Sequence, residues 1–328
     1  MIIARTPFRI SFFGGGTDFP GYFEHHGGAV LATTINKYCY ISVHQLTSFF
    51  KHRFRASYSR TESVLSPEEF QHPLIRETLL HLDQREGVEI SHVADLPGQT
   101  GLGSSSSFTV GLLHALHGYL GRSITAEELA RQAIHIERVR VGDAGGWQDQ
   151  YEAAFGGFRR FDFEQDGSVR VTTISLTPER RAELENNLTL FYLGTESSAE
   201  QILQDQKKRA DANEATLHAM RAMVDEGARI LSGAGSLAAF GDLLDEAWRL
   251  KRSLATGISN RQIDQAYETA RTVGARGGKL LGAGGRGFLC LYAEPSVQPA
   301  LRDALHDLRE VHFGFSNEGS RIIFKSDE

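Results

Sequence analysis

The sequence predicts an α+β protein built in two parts, and two observations carry that reading. Up to about residue 175, short runs rich in β-branched and aromatic residues alternate with Gly-rich turns, and helical periodicity interrupts them. Beyond that point, after one more strand-like run, apolar residues recur at helical spacing over long stretches. The 328 residues, 41% hydrophobic and 23% charged, can bury a full core, which argues against wholesale disorder.

In the first part, strands are expected over 8–13, 30–43, 53–58, 88–93, 158–163 and 169–174, where β-branched and aromatic residues cluster between turn residues. Helices are expected over 74–86, 105–120 and 126–139; the last is preceded by Thr125, which stands three residues before Glu128 in capping-box spacing. A strand over 188–193 opens the second part, followed by long helices over 199–231, 237–254 and 262–273. In the second of these, Leu237, Phe240, Leu244, Ala247, Trp248 and Lys251 fall on one face. A Gly-rich turn over 277–287, a strand over 288–293, a helix after Pro295 and a short strand over 321–324 close the chain. The boundary is expected within 175–187, giving domains 1–180 and 181–328, and no internal repeat is visible.

With 41 acidic against 35 basic residues the net charge is −6, which gives no support for a basic nucleic-acid surface, although a local basic patch would escape this test. The two cysteines, Cys39 and Cys290, are too few for a disulfide framework or a four-cysteine metal site, so a reducing compartment and a cytoplasmic location are expected. No uncharged run approaches the ~20 residues that span a bilayer, so no membrane association is expected.

Three Gly-rich segments carry the chemistry. The segment 95–107 contains Pro97, Gly98, Gly101, Leu102 and Gly103 followed by four serines, between an expected strand and an expected helix. Glycines allow close backbone approach, and the N–H groups opening a helix favour an anion, so this is a candidate phosphate cradle. It is not a Walker A loop, because no Lys follows the glycines, nor a dinucleotide fingerprint, because Ser106 replaces the third Gly. An ordinary Gly/Ser turn capping a helix would read the same way. The segment 282–287 matches G-x-G-x-x-G by letters, yet a strand follows it, the reverse of a Rossmann unit, so a tight turn near a ligand or the other domain explains its glycines. The segment 5–18 runs as a strand into Gly14, Gly15 and Gly16, then Thr17 and Asp18; an Asp there also suits a turn. Glu137 and Asp149 complete the set. Phosphoryl transfer needs oxygen ligands for magnesium, a cradle for phosphate oxygens and a group that positions or deprotonates the attacking hydroxyl. Glu137 also suits a surface pair with a neighbouring Arg, and Asp149 a helix N-terminal charge.

Together and in this order, the three segments resemble the GHMP small-molecule kinases, over nearly the whole chain. The stretch 97–107 matches that family's Pro-x-x-x-Gly-Leu-Gly-Ser-Ser motif, Pro7-Phe8-Arg9 leads its first motif, and 279–287 resembles its third, from which Arg286 departs. The resemblance implies an N-terminal ribosomal-protein-like α+β domain and a C-terminal ferredoxin-like α+β domain, with the active site in the cleft between them. It also implies ATP and Mg2+. Pro97, Gly98, Gly101, Leu102, Gly103, Ser104, Ser105 and Ser106 would then hold the ATP phosphates, with Ser105 and Glu137 at magnesium. Asp149 would be the base or the orienter of the acceptor hydroxyl, with Arg9 near the transferred phosphate. Gly15, Gly16, Thr17, Asp18, Gly284 and Gly285 would meet the substrate.

Within the family, the stretch 5–18 is most similar to the D-glycero-D-manno-heptose 7-phosphate kinases, which implies phosphorylation of an anomeric hydroxyl to a 1,7-bisphosphate, with a sugar phosphate and ATP as small-molecule partners. Three glycines stand where galactokinases and mevalonate kinases carry Gly-Glu-His, which suits a larger polar sugar. Fucose, mannose, galactose or an isoprenoid alcohol are the alternative acceptors, and a nucleotide-dependent sugar sensor is the alternative class. The cation facing a 7-phosphate is expected among Arg5, Lys51, Arg53, Arg138, Arg140, Lys207, Lys208 and Lys279.

Overall fold

The structure is a computed structural model in which residues 1–194, 199–209 and 211–326 are described. The elements run β1 (Ile2–Phe13), α1 (Pro20–His26), β2 (Gly28–Gln45), β3 (Phe54–Ser57), β4 (Thr61–Val64), α2 (Pro73–His81), β5 (Val88–Ala94), α3 (Ser104–Tyr119), α4 (Ala126–Ile134), α5 (Gln148–Phe155), β6 (Phe158–Phe163) and β7 (Val169–Thr173). They continue with α6 (Pro178–Asn187), β8 (Leu188–Tyr192), α7 (Ala199–Lys208), α8 (Glu214–Ser232), α9 (Ala238–Ser253), α10 (Arg261–Thr272), β9 (Gly277–Leu280), β10 (Phe288–Tyr292), α11 (Gln298–Ala304), β11 (Arg309–Glu310), β12 (Phe315–Ser316) and β13 (Arg321–Lys325).

Two sheets organise these elements. The larger runs in the order β13-β1-β2-β5-β3-β4, with β6 and β12 also pairing on β2 and β7 on β6; the smaller runs β11-β8-β10-β9. The chain leaves the larger sheet after β7, crosses α6 and enters the smaller one at β8, but β12 and β13 return to the first. Strand β1 therefore begins at Ile2 rather than at Phe8 as expected, because β13 from the far end of the chain pairs with Ile2 to Arg5. Pro7 lacks an N–H, and the β1–β2 register shifts there between Pro7 and Phe8. Helix α3 packs on β1 and β2, so the segment before it opens at the edge of the sheet that carries Arg9.

The two parts share apolar packing. Phe12 stacks on Phe158 at 5.5 Å and meets Phe240 of α9 edge-on at 5.2 Å, while Phe13 meets the same ring at 5.1 Å. A second cluster beneath the smaller sheet gathers Trp248, Tyr267, Leu280 and Leu289. Among the described residues no helix is long and apolar enough to cross a membrane.

Several expectations need correction. The helix expected over 74–86 stops at His81, because Asp83 takes a left-handed conformation at φ 51°, with the Asp83 and Gln84 N–H groups bonding back to Leu80 and Leu79. The helix expected over 199–231 is broken by a 3-10 turn at Asp211–Asn213. The helix over 126–139 is regular only to Ile134, then widens into a π-helical turn, His135–Val141, that ends at Gly142. The first four residues of the turn expected over 277–287 form β9, because they pair with β10. The short elements α1, β4, α6, β11 and β12 are not among the expected ones, although Thr177 before Pro178 and Glu179 is a readable start signal for α6, and α5 begins where Asp149 reads as a helix N-terminal charge.

The capping box at Thr125 is present: its hydroxyl accepts from the Glu128 N–H at 3.2 Å and the Glu128 carboxylate accepts from the Thr125 N–H at 2.8 Å. Thr125→Ala is expected to lower stability by about 1 kcal/mol in denaturant titration while leaving the Michaelis constants unchanged.

Candidate active site

The four serines open α3, with Gly103 as its left-handed N-terminal flanking residue at φ 72°. Gly101 lies so close to the third Gly-rich segment that a Cβ on it would stand 2.3 Å from the Leu281 carbonyl oxygen, and one on Gly282 would stand 2.3 Å from the Gly101 Cα. Gly101 and Gly282 are thus explained by backbone meeting backbone. Arg286 adds a side-chain bridge, donating to the Gln99 amide oxygen at 3.1 Å.

These two loops border a cavity of about 610 Å³, whose lining includes Arg9, Ser11, Gly15, Gly16, Asp18, Gly101, Gly103 to Ser106, Glu137, Arg138, Gln148, Asp149, Lys251, Lys279, Gly282 and Gly284. Arg9 projects from β1 and grips Asp149 of α5 with two bonds, Nε to one carboxylate oxygen at 2.8 Å and Nη2 to the other at 2.9 Å. Its third nitrogen donates to the Gly101 carbonyl at 2.5 Å, which ties the pair to the Gly-rich loop. A fork-to-fork arginine–carboxylate pair fixes the plane of the carboxylate.

Glu137 sits in the π-helical turn, buried to 1% exposure. One of its oxygens accepts from Ser106 Oγ at 3.0 Å and from Gln150 Nε2 at 2.6 Å; the other has no hydrogen-bond partner among the described residues. Burial raises its pKa, with Arg138 opposing. A buried carboxylate oxygen with an unused acceptor site, beside serine hydroxyls at a helix start, fits a hard cation such as magnesium. The serine bonded to Glu137 is Ser106; Ser105, expected beside it, is exposed one residue earlier on α3 and also lines the cavity. The helical phase decides this: the buried side of α3 at this point is the Ser106–Ser107 side.

Asp18 is buried at 1% and accepts from the N–H groups of Gly16 at 2.9 Å and Gln148 at 3.1 Å. It thereby caps the first turn of α5, the helix that presents Asp149, while still lining the cavity. Burial raises its pKa and these N–H groups oppose the shift. Thr17, expected at the substrate, faces away: its hydroxyl is bonded to the Gly14 and Ala29 carbonyls and receives the Ala29 N–H, so it closes the turn. Pro97, Gly98, Leu102 and Gly285 are likewise outside the lining. Leu102 is core, with its carbonyl accepting from the Arg9 N–H, Pro97 and Gly98 are exposed on the loop, and the Gly285 N–H donates to Ile258.

The sequence reading missed Ser11, Gln148 and Lys251. Ser11 Oγ and Gln148 Oε1 are buried without a hydrogen-bond partner among the described residues, which marks a place for a polar ligand. Of the cations proposed for a distal phosphate, Arg138 and Lys279 line the cavity. Arg5 pairs with Glu318, Arg53 donates to the Arg85 carbonyl, Arg140 pairs with Glu77 and Lys51 is exposed elsewhere. The side chains of Lys207 and Lys208 lie outside the described residues.

The N-terminal domain of the GHMP kinases matches residues 73–157 and their C-terminal domain residues 219–309. A D-glycero-alpha-D-manno-heptose 7-phosphate kinase of Campylobacter jejuni is 30% identical over 97% of both chains. The chain is a member of the GHMP kinase family. As a GHMP kinase it is a phosphotransferase with the two-part fold of that family, whose kinases use ATP. The solved structure of a D-glycero-D-manno-heptose 1-phosphate kinase from Bacteroides thetaiotaomicron superposes with a TM-score of 0.81 at 26% identity, covering all of both chains. A mevalonate kinase of Pyrococcus horikoshii is 29% identical over 73% of this GHMP kinase and 68% of its own length.

Proposed function

We propose that this GHMP kinase transfers the γ-phosphoryl group of ATP to the anomeric hydroxyl of D-glycero-D-manno-heptose 7-phosphate, giving the 1,7-bisphosphate. The likeness to a heptose 7-phosphate kinase along 97% of the chain carries the choice of acceptor. The unpartnered Ser11 and Gln148 oxygens beside Gly15 and Asp149 favour a polyhydroxylated acceptor over an isoprenoid alcohol, because apolar carbon there would leave both polar groups unpaired.

In this reading the acceptor hydroxyl approaches Asp149 from the side opposite Arg9, whose two bonds hold the carboxylate in place to accept the proton as the oxygen attacks. The N–H groups of Gly103 to Ser106 and the start of α3 take the charge of the nucleotide phosphates. Glu137, with Ser105 or Ser106, would hold Mg2+, which supplies charge neutralisation to the nucleotide phosphates. Gly15 and Gly16 leave room for the sugar along the cavity wall, with the Gly16 N–H committed to Asp18.

The deciding experiment measures ADP release with ATP and magnesium over heptose 7-phosphate, heptose 1-phosphate, free heptose, mannose, fucose, galactose and mevalonate, with phosphorus NMR of each product. A signal with heptose 7-phosphate and a new anomeric phosphate is the expected result. Turnover only on heptose 1-phosphate moves the reaction to the other end of the sugar. Turnover only on another acceptor rejects the heptose reading, and ligand binding without ADP release from any acceptor makes the protein a sensor.

A further inference from the structure

Two lysines reach the cavity from the part of the chain that carries the smaller sheet, Lys251 from α9 and Lys279 from β9. Both are buried, at 9% and 3% exposure. Main-chain carbonyls hold their amino groups: Lys251 Nζ donates to Leu280 at 2.8 Å and to Gly282 at 2.5 Å, and Lys279 Nζ donates to Phe12 at 2.7 Å. An ammonium has three N–H donors, so these bonds use two on Lys251 and one on Lys279. Of the carboxylates lining the cavity, Asp149 is engaged by Arg9, Asp18 by backbone N–H groups and Glu137 by Ser106 and Gln150, while Asp143 and Glu200 make no ion pair with either lysine among the described residues. Asp149 balances Arg9, which leaves two buried amines facing a cavity without a counter-ion of their own among the described residues. Holding such amines charged without a partner is costly, and an entering phosphate dianion supplies the counter-charge that favours their ammonium forms.

We propose that Lys251 and Lys279 form an anion-binding floor of the cleft, distinct from the main-chain cradle at α3, that receives a phosphate dianion of one of the two substrates. The choice of phosphate rests on the kinase reading above. Two sources share this chemistry, the terminal phosphate of the nucleotide and the phosphate already on the acceptor.

The floor carries a proton signature. Burial pushes Lys279 down to about 7, with Arg9 adding repulsion and the Cys290 thiol opposing. Lys251 is pushed well below the usual lysine range by burial, then by Lys279 and Arg9, with Asp149 opposing. At a pH of about 8, above its ligand-free value, Lys279 is mostly neutral; a bound dianion favours its ammonium, so binding draws a proton from solvent. In the ligand-free protein the sign is the reverse. Because the folded-state value lies below the unfolded one, the wild type loses stability as pH falls from the unfolded lysine value of about 10.4 towards about 7. A neutral Met escapes that loss.

The test titrates inorganic phosphate, a non-hydrolysable ATP analogue with magnesium, heptose 7-phosphate and free heptose into the wild type, Lys251→Met and Lys279→Met by calorimetry, in two buffers of different ionisation enthalpy. The expected result is net proton uptake with phosphate on the wild type, and in each variant less uptake with at least ~10-fold weaker phosphate binding. Weakening confined to the ATP analogue assigns the nucleotide's phosphate; weakening confined to heptose 7-phosphate, with free heptose unchanged, assigns the acceptor's. Phosphate and both substrates bound by the variants within about 2-fold of wild type, or phosphate bound by the wild type without proton uptake, overturns the proposal. If the variants do not fold, the wild-type proton count decides alone; where they fold, their melting temperature minus that of wild type should grow as pH is lowered towards 7. Absence of ADP release from any acceptor would sink the kinase reading, while the phosphate titration would still decide for or against the floor.

Discussion

Asp149→Asn is expected to lower kcat by roughly 10²- to 10⁴-fold with the fold retained. The amide cannot take the acceptor's proton, and it turns an N–H towards one of the two Arg9 donors that the carboxylate now accepts. Arg9, at 4% exposure, is left holding the Gly101 carbonyl without its counter-ion, so stability should also fall, by about 1–3 kcal/mol. Adding Arg9→Met separates the two effects. The double variant should recover the melting temperature and still fail to turn over, because the proton acceptor is gone whatever happens to the ion pair. Steady-state kinetics and thermal unfolding of the wild type and both variants measure this, and near-wild-type turnover in Asp149→Asn would remove Asp149 from its role.

The second large effect is expected at Glu137. In Glu137→Gln the amide oxygen can still accept from Ser106 and Gln150, so the π-helical turn keeps those contacts, but the unpartnered oxygen is replaced by an NH2 group, a donor that cannot ligate a cation. Loss of a metal-binding carboxylate should cost on the order of 10²- to 10³-fold in kcat at limiting magnesium, with partial recovery as magnesium is raised. Stability of the ligand-free protein should stay the same or rise, because burial already disfavours the charged form of Glu137. A magnesium titration of activity, paired with thermal unfolding in chelator, reads both. Full activity with an unchanged magnesium requirement would place the metal elsewhere.

The features legible in the sequence are those written in contiguous residues. The Gly-Leu-Gly-Ser run opens a helix, Thr125 and Glu128 cap the next, and Arg9, Glu137 and Asp149 stand in the cleft named for them. What escaped is what depends on distant strands and on helical phase. Thr17 is expected at the substrate because it stands between Gly16 and Asp18 in the segment that carries the resemblance; those two line the cavity, yet its own side chain turns inward to close the loop against Ala29. Ser106 rather than Ser105 meets Glu137, because the buried side of α3 is set by packing on β1 and β2. Lys251 read as one more position on the core-facing side of α9, and only the approach of β9 and the third Gly-rich segment turned its amino group to the cavity.

The sequence by itself therefore determined the α+β class, the three glycine-rich segments and the kinase family, because backbone geometry and anion binding at a helix start are local properties of a few neighbouring residues. Only the tertiary structure decided which of the nominated side chains converge, that Asp18 caps the helix carrying Asp149, and that two lysines and two unpaired oxygens complete the cleft. Those contacts join residues as far as 267 positions apart, and their existence rests on two sheets being packed together through the Phe12, Phe13 and Phe240 rings.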